Sequence, residues 1–206
     1  MTPAPSSRTF VPLLAVCLAT LVGCATTTPS RFYTLTPMKG SDASAGAIPV
    51  EEGAVLALGP VRLPEYLDRP QIATRSEGNE VRLHETERWA GSLQEDVSRV
   101  MVENLSALLA GKRVAVVRWT SVMQTMAPFR NRLAIEILRF EGPVGGTVVL
   151  KARYALLGPD GRAVISTGES TVREPAGGSD YESLVAAMSR ALAAFSREVA
   201  AAVPAR

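Results

Sequence analysis

A chain of 206 residues is long enough to bury a core without disulfide support, and 47% hydrophobic against 20% charged residues describes a folded body plus one greasy segment. The formal charge of +2 lacks the basic excess of a nucleic-acid binder, and one histidine with two cysteines leaves little material for catalysis.

The first segment reads as a leader. Residues 1–23 carry Arg8 as their only charge, and from Phe10 to Val22 runs an apolar stretch of about 13 residues. That is too short to cross a hydrocarbon core of about 30 Å as a helix and suits the apolar region of a signal peptide. Leu21-Val22-Gly23-Cys24 closes the run, and a small residue followed by Cys at that point marks cleavage and lipidation in bacterial lipoprotein precursors. Cys17 leaves with the signal peptide, so Cys24 is the one cysteine of the mature chain, and a thioether-linked lipid accounts for it. Two or three acyl chains, at about 0.8 kcal/mol per buried methylene, hold firmly where one chain binds reversibly. Residues 24–31 then form the lipidated N-terminus and a polar tether whose last seven residues reach at most about 25 Å.

Residues 32–206 read as one domain. Phe32-Tyr33-Thr34-Leu35 has the aromatic and β-branched character of a short strand, and residues 38–53, rich in Gly, Ser and Ala, read as a loop. Val55 to Leu63 is a nearly unbroken apolar run, as in a strand covered on both faces. Residues 71–76 and 80–83 alternate around Glu77-Gly78-Asn79, a hairpin pattern. Residues 85–110 bring Trp89, Leu93, Val97, Val100, Leu105 and Leu108 to helical spacing, with Gly111 as the stop. Residues 113–118 follow as a buried strand, and the strand, helix, strand order implies a parallel pair.

Three runs of antiparallel character come next, at 133–137, 148–156 and 163–172, separated by Gly- and Pro-containing turns. The third is polar, which suits an exposed sheet edge. Ser179-Asp180-Tyr181-Glu182 has capping-box spacing with Ser179 as the cap, and Leu184, Met188, Leu192, Phe195, Val199 and Val203 form one helical stripe behind it. The expected fold is α/β: a mixed β-sheet with an antiparallel meander and two long amphipathic helices packed on it.

Sites for chemistry are scarce. No Gly-x-Ser-x-Gly elbow, Walker spacing or cluster of metal-ligating residues is present in the sequence, so the expectation is a protein that is not an enzyme and holds no metal and no cofactor beyond the lipid on Cys24. A hydrolase would have to be built on His84, with Glu85 and Glu87 beside it. Two features could carry binding. Pro64, Tyr66, Leu67, Asp68, Arg69 and Pro70 form a proline-bracketed segment, which either presents Tyr66 and Leu67 to a partner as a stiff knob or folds them back over the sheet. Trp89, Met101, Met188 and Phe195 either line a lipid-sized groove between the helices or belong to the core.

Gly59-Pro60-Val61-Arg62-Leu63-Pro64-Glu65-Tyr66-Leu67-Asp68-Arg69-Pro70-Gln71-Ile72-Ala73-Thr74-Arg75, then Arg88-Trp89-Ala90-Gly91-Ser92-Leu93 and Glu103-Asn104-Leu105, together resemble the ABC-type transport auxiliary lipoprotein family. The Phe32-Tyr33-Thr34-Leu35 strand and Arg139-Phe140-Glu141-Gly142 fit the same pattern. The resemblance spans the mature chain and rests on structural signatures. It implies a periplasm-facing lipoprotein working with an MCE-domain protein and an associated ABC transporter or integral membrane subunit in phospholipid transport between the two membranes. It also implies assembly of copies into a homo-oligomeric ring and anchoring in the outer membrane; Ala25 stands where an Asp would favour inner-membrane retention. A lipoprotein regulator of a cell-wall synthase is the rival from another class, and the short tether speaks against the long arm such a protein needs.

Overall fold

The computed structural model describes residues 28–40, 55–76, 78–120 and 131–204. The expected signal peptide, Cys24 and the first part of the expected tether lie outside the described residues. Among the described residues, eight strands and two long helices follow in the order β1 (Arg31–Tyr33), β2 (Val55–Arg62), β3 (Gln71–Arg75), β4 (Val81–Trp89), α1 (Leu93–Leu109), β5 (Ala115–Arg118), β6 (Asn131–Glu141), β7 (Thr147–Leu157), β8 (Val164–Pro175) and α2 (Tyr181–Ala202). The strands divide between two mixed sheets where the sequence suggested one: a three-stranded sheet ordered β1-β4-β3 and a five-stranded sheet ordered β5-β2-β6-β7-β8.

In the larger sheet β2 pairs in parallel with both β5 and β6, which gives the expected parallel pair around α1. β6, β7 and β8 form the antiparallel meander, and the polar third run is the exposed edge. β5 is half-buried along its length, because it is the opposite edge. Both helices contribute to one core: α1 lies against β2 and β5, α2 against β7 and β8, and the helices touch each other. Leu133, Ile135 and Ile137 of β6 and Val148, Leu150 and Ala152 of β7 are buried there, and so is the whole α2 stripe from Leu184 to Val203. Trp89, Met101, Met188 and Phe195 are likewise core residues, which resolves the groove-or-core alternative in favour of the core.

Two helix starts differ from expectation. Residues 85–89 are strand, not helix: β4 continues to Trp89, opposite Tyr33 of β1, and Ser92 caps α1 by accepting from the Glu95 amide. An apolar residue ending a strand sits here at the same spacing as the helical stripe behind it. Glu95 and Asp96 in the first turn complement the helix dipole. At α2 the cap is Asp180, whose carboxylate accepts from the Ser183 amide at 2.7 Å, one residue beyond the expected Ser179. That hydrogen bond holds the Asp180 carboxyl below its ordinary range. At the other end of α2, Lys112 donates to the Ala200 and Val203 carbonyls at 3.1 and 2.7 Å, supplying the cation that the last turn lacks.

An extended strap, residues 34–38, leaves β1 and crosses both helices. The Thr36 amide donates to Ser189 Oγ of α2 at 3.1 Å and the Met38 amide to Asn104 Oδ1 of α1 at 2.8 Å. The Leu35 amide donates to Asp96 Oδ2, Arg99 Nη2 donates to the Leu35 carbonyl at 2.7 Å, and the Leu35 side chain is buried. Asn104 is fully buried and also donates to Ser196 Oγ on α2 at 3.1 Å, so one amide side chain joins strap and both helices.

Replacing Asn104 by Ala leaves the Met38 amide without its acceptor, and a group of this kind is worth about 1–3 kcal/mol when stranded. Urea unfolding of Asn104→Ala should show a loss in that range, while Ser189→Ala, which frees only the amide of exposed Thr36 and breaks no bond between the helices, should lose less.

Candidate docking surface

Residues 63–70 leave the end of β2 and are folded by their own turn, in which the Leu67 and Asp68 amides both donate to the Pro64 carbonyl. Leu67 enters the core at 2% exposure. Tyr66 is half-buried, and its hydroxyl donates to Glu141 Oε2 at 3.0 Å. These two side chains therefore cover the interior of the fold. Asp68, Arg69 and Pro70 stay exposed, and Pro64 is half-buried. Asp68 Oδ1 accepts from Ser92 Oγ at 3.4 Å, and the Pro70 carbonyl accepts from the Trp89 amide, which fixes the segment to the start of α1.

Glu141 is the hub behind this segment. Its carboxylate is fully buried and accepts from Arg75 Nε at 2.8 Å, Tyr66 Oη and the Phe140 amide at 3.0 Å each, with Arg139 Nε also 3.0 Å away. Arg75 lies on β3 and Glu141 on β6, so this carboxylate links the two sheets. The Arg75 guanidinium also faces the Tyr66 ring, 5.7 Å from its centroid. Hydrogen bonding to Glu141 pushes the Arg75 pKa up, and burial followed by the Glu141 charge pushes up that of the Tyr66 phenol.

An open trough of about 700 Å³, lined at one end by Pro60 and Arg62, lies on the face of the five-stranded sheet away from the helices. Its floor is small, with Ala134 opposite Ala155 and Ala155 opposite Thr167. Beside that floor the strand registers align a ladder of alternating charge: Arg62 of β2 opposite Glu136 of β6, Glu136 opposite Arg153 of β7, and Arg153 opposite Glu169 of β8. Arg153 Nε bonds Glu169 Oε2 at 2.7 Å, and Lys151 reaches Glu169 Oε1 at 2.9 Å. Arg62 is exposed, and its side chain has no ion-pair partner among the described residues. At the far end Arg132 stacks on Trp119, 4.0 Å from the ring centroid, and donates to the Gly59 carbonyl at 2.9 Å. Gly59 holds φ of +139° there, in a register shift of β2, where a side chain would be strained.

His84 is placed elsewhere, on β4. Its Nε2 lies 3.2 Å from Thr74 Oγ1, and its ring meets Tyr181 edge-on at 5.0 Å between centroids. Nearby, Tyr33 donates to Glu87 Oε2 at 2.6 Å. Burial, together with Glu87, pushes the Tyr33 and Tyr181 phenols up to about 12. Among the described residues no group of three or more His, Cys, Asp or Glu could hold a metal ion, and no helix is long and apolar enough to cross a membrane.

The structure thus separates the sequence candidates. It draws Tyr66 and Leu67 inward, leaves Asp68, Arg69 and Pro70 on the surface, and leaves Cys24 outside the described residues. The charge ladder was missed, because its members lie on four strands and only the registers bring them into line. Polar residues at alternate positions of β6, β7 and β8 were the one available signal.

Two outcomes follow from this chemistry. Tyr66→Phe removes one hydrogen bond to a buried carboxylate and should lower stability by about 1–2 kcal/mol, whereas Glu141→Ala strands Arg75 and should lower it by about 3 kcal/mol or more; chemical denaturation measures both. A raised phenol pKa stabilises the fold fully below the unfolded value of 10.0 and is lost as pH rises through about 12, so stability should fall across that window. Tyr33→Phe should shallow that fall in an alkaline unfolding titration.

A comparison with curated proteins finds no significant match. Among solved structures, a crystal structure of an uncharacterised protein covers 86% of this chain and 100% of its own length at TM-score 0.69 and 18% identity. Protein XCC0632 from Xanthomonas campestris, of the DUF330 family, covers 83% of this chain and 93% of its own at TM-score 0.61 and 21% identity. At these identities the likeness establishes the fold. A PelC dodecamer from Paraburkholderia phytofirmans is a looser neighbour, at TM-score 0.40 and 15% identity over 70% of this chain and 89% of its own. The family model described as "ABC-type transport auxiliary lipoprotein component" matches residues 33–200, from the end of β1 to near the end of α2, and the chain belongs to that family.

Proposed function

We propose that this chain is a non-enzymatic lipoprotein subunit of an MCE/ABC-type intermembrane lipid transport system, fixed to the outer membrane through Cys24. In this reading its folded body docks on the periplasmic MCE assembly and supports envelope integrity. The family match over residues 33–200 carries the reading. The trough supports it: an open surface with a small-residue floor and charges at fixed positions suits shape-and-charge docking. Arg62 offers an unpaired cation there, two residues before the segment that ends in exposed Asp68, Arg69 and Pro70. His84, engaged by Thr74 and Tyr181, fits a structural role.

Purification of the tagged lipoprotein from native membranes tests the proposal. The expected result is recovery of an MCE-domain or transporter subunit, with recovery reduced about tenfold by Arg62→Glu, which corresponds to about 1.4 kcal/mol of lost complementarity. Recovery of no such subunit, together with normal envelope permeability in a deletion strain, would overturn the reading. Full recovery with Arg62→Glu would remove the trough from it.

A further inference from the structure

Phe32 is 64% exposed, although it sits in a strand one residue from the core. Tyr33 stands opposite buried Trp89, so Phe32 takes the other face of the smaller sheet, away from the interior. On that face the registers draw a line across all three strands: Phe32 of β1 opposite Arg88 of β4, and Arg88 opposite Gln71 of β3. Exposed Pro70 and Arg69 continue the chain from its β3 end. Arg88 is half-buried and has no ion-pair partner among the described residues. The acids at the rim are already engaged. Asp68 accepts from Ser92 Oγ, Glu85 accepts from Gln71 Nε2 at 3.4 Å, and Glu65 pairs with Arg69 at 3.7 Å. None of the residues on the line belongs to the trough.

We propose that this line is a second membrane contact, which lays the smaller sheet against a phospholipid surface carrying anionic headgroups. The inference rests on the reading that Cys24 bears the lipid. Eight residues then separate Phe32 from the anchor, a span of at most about 28 Å, so β1 begins beside the bilayer and the surface is the occupant this face meets first. An aromatic ring suits the boundary between headgroups and acyl chains, where amphipathic surfaces settle. Arg88, one strand away, can run its apolar stem along the ring and bring its guanidinium to a lipid phosphate. A cation without an internal partner is complementary to an anionic surface and gains from it.

The two contacts divide the work. The acyl chains supply the strength of attachment, and the line supplies its direction. A body swinging on a tether of that length would present the trough at every angle; a body resting on Phe32 and Arg88 presents it at one.

Phe32→Cys tests the contact in the full-length lipoprotein, where it is the one free thiol once Cys17 has left with the signal peptide and Cys24 is lipidated. The thiol is labelled with the environment-sensitive fluorophore NBD, and the protein is reconstituted into vesicles of phosphatidylethanolamine and phosphatidylglycerol. Flotation with the vesicles reads the anchor, and quenching by lipids spin-labelled near the headgroup reads the contact. Strong quenching is expected at position 32, and little at Val164→Cys, a site of matching exposure, 63%, on the larger sheet. Adding Arg88→Glu should lower the ratio of docked to free label about tenfold, as should replacing phosphatidylglycerol by phosphatidylcholine, whereas Arg88→Lys should preserve it. Flotation without quenching at 32, equal quenching at 164, or quenching indifferent to Arg88→Glu would each overturn the contact and leave the anchor standing. Failure to float would overturn both.

Discussion

The constraint on which the fold most depends is the supply of hydrogen-bond partners to a strap that belongs to no sheet. After β1 the chain runs extended across α1 and α2, and three of its amides and one carbonyl are met by side chains of Asp96, Ser189, Asn104 and Arg99. Backbone that crosses a packed interface without partners is strongly destabilising. Buried Asn104 and the Ser189 hydroxyl on otherwise apolar helix faces are explained by that requirement. The strap also delivers Leu35 to the core, so polar and apolar contacts draw the helices together along one line.

A second buried polar centre does for the sheets what the strap does for the helices. Glu141 at the end of β6 gathers Arg75 from β3 and Tyr66 from the segment after β2. A buried carboxylate is tolerated where several donors converge on it. Here the convergence holds three pieces of chain, far apart in sequence, in one geometry. The exposed Asp68, Arg69 and Pro70 are presented from a base that is itself fixed.

Much of this fold was legible because periodicity survives in a single sequence. The apolar run of β2, the alternating runs of the meander and the stripe of α2 each follow from how strands and helices repeat. What was not legible depends on contacts between distant residues. Trp89 sits at helical spacing from Leu93 yet ends a strand, because Tyr33 pairs beside it. Asp180 and Ser179 are both good caps by residue type, and it is Asp180 that takes the extended cap conformation and accepts from the Ser183 amide. The docking candidates illustrate the same limit: two prolines do mark a shaped segment, but the direction in which Tyr66 points is decided by Glu141, seventy-five residues later. Arg62, Glu136, Arg153 and Glu169 carry no pattern until registers align them.

The strap has a mechanical side. In the proposed arrangement a pull from the N-terminal side would pass through the three paired residues of β1 and then through the strap. β1 lies parallel to β4, and the strap contacts follow in sequence along both helices, so the load is spread over successive bonds before it reaches the core. Resistance to such a pull is set by the rate of unfolding under force and not by equilibrium stability. In the proposed arrangement, with a bilayer on one side and a transport assembly on the other, the strap would act as a strain relief at the point where the anchor enters.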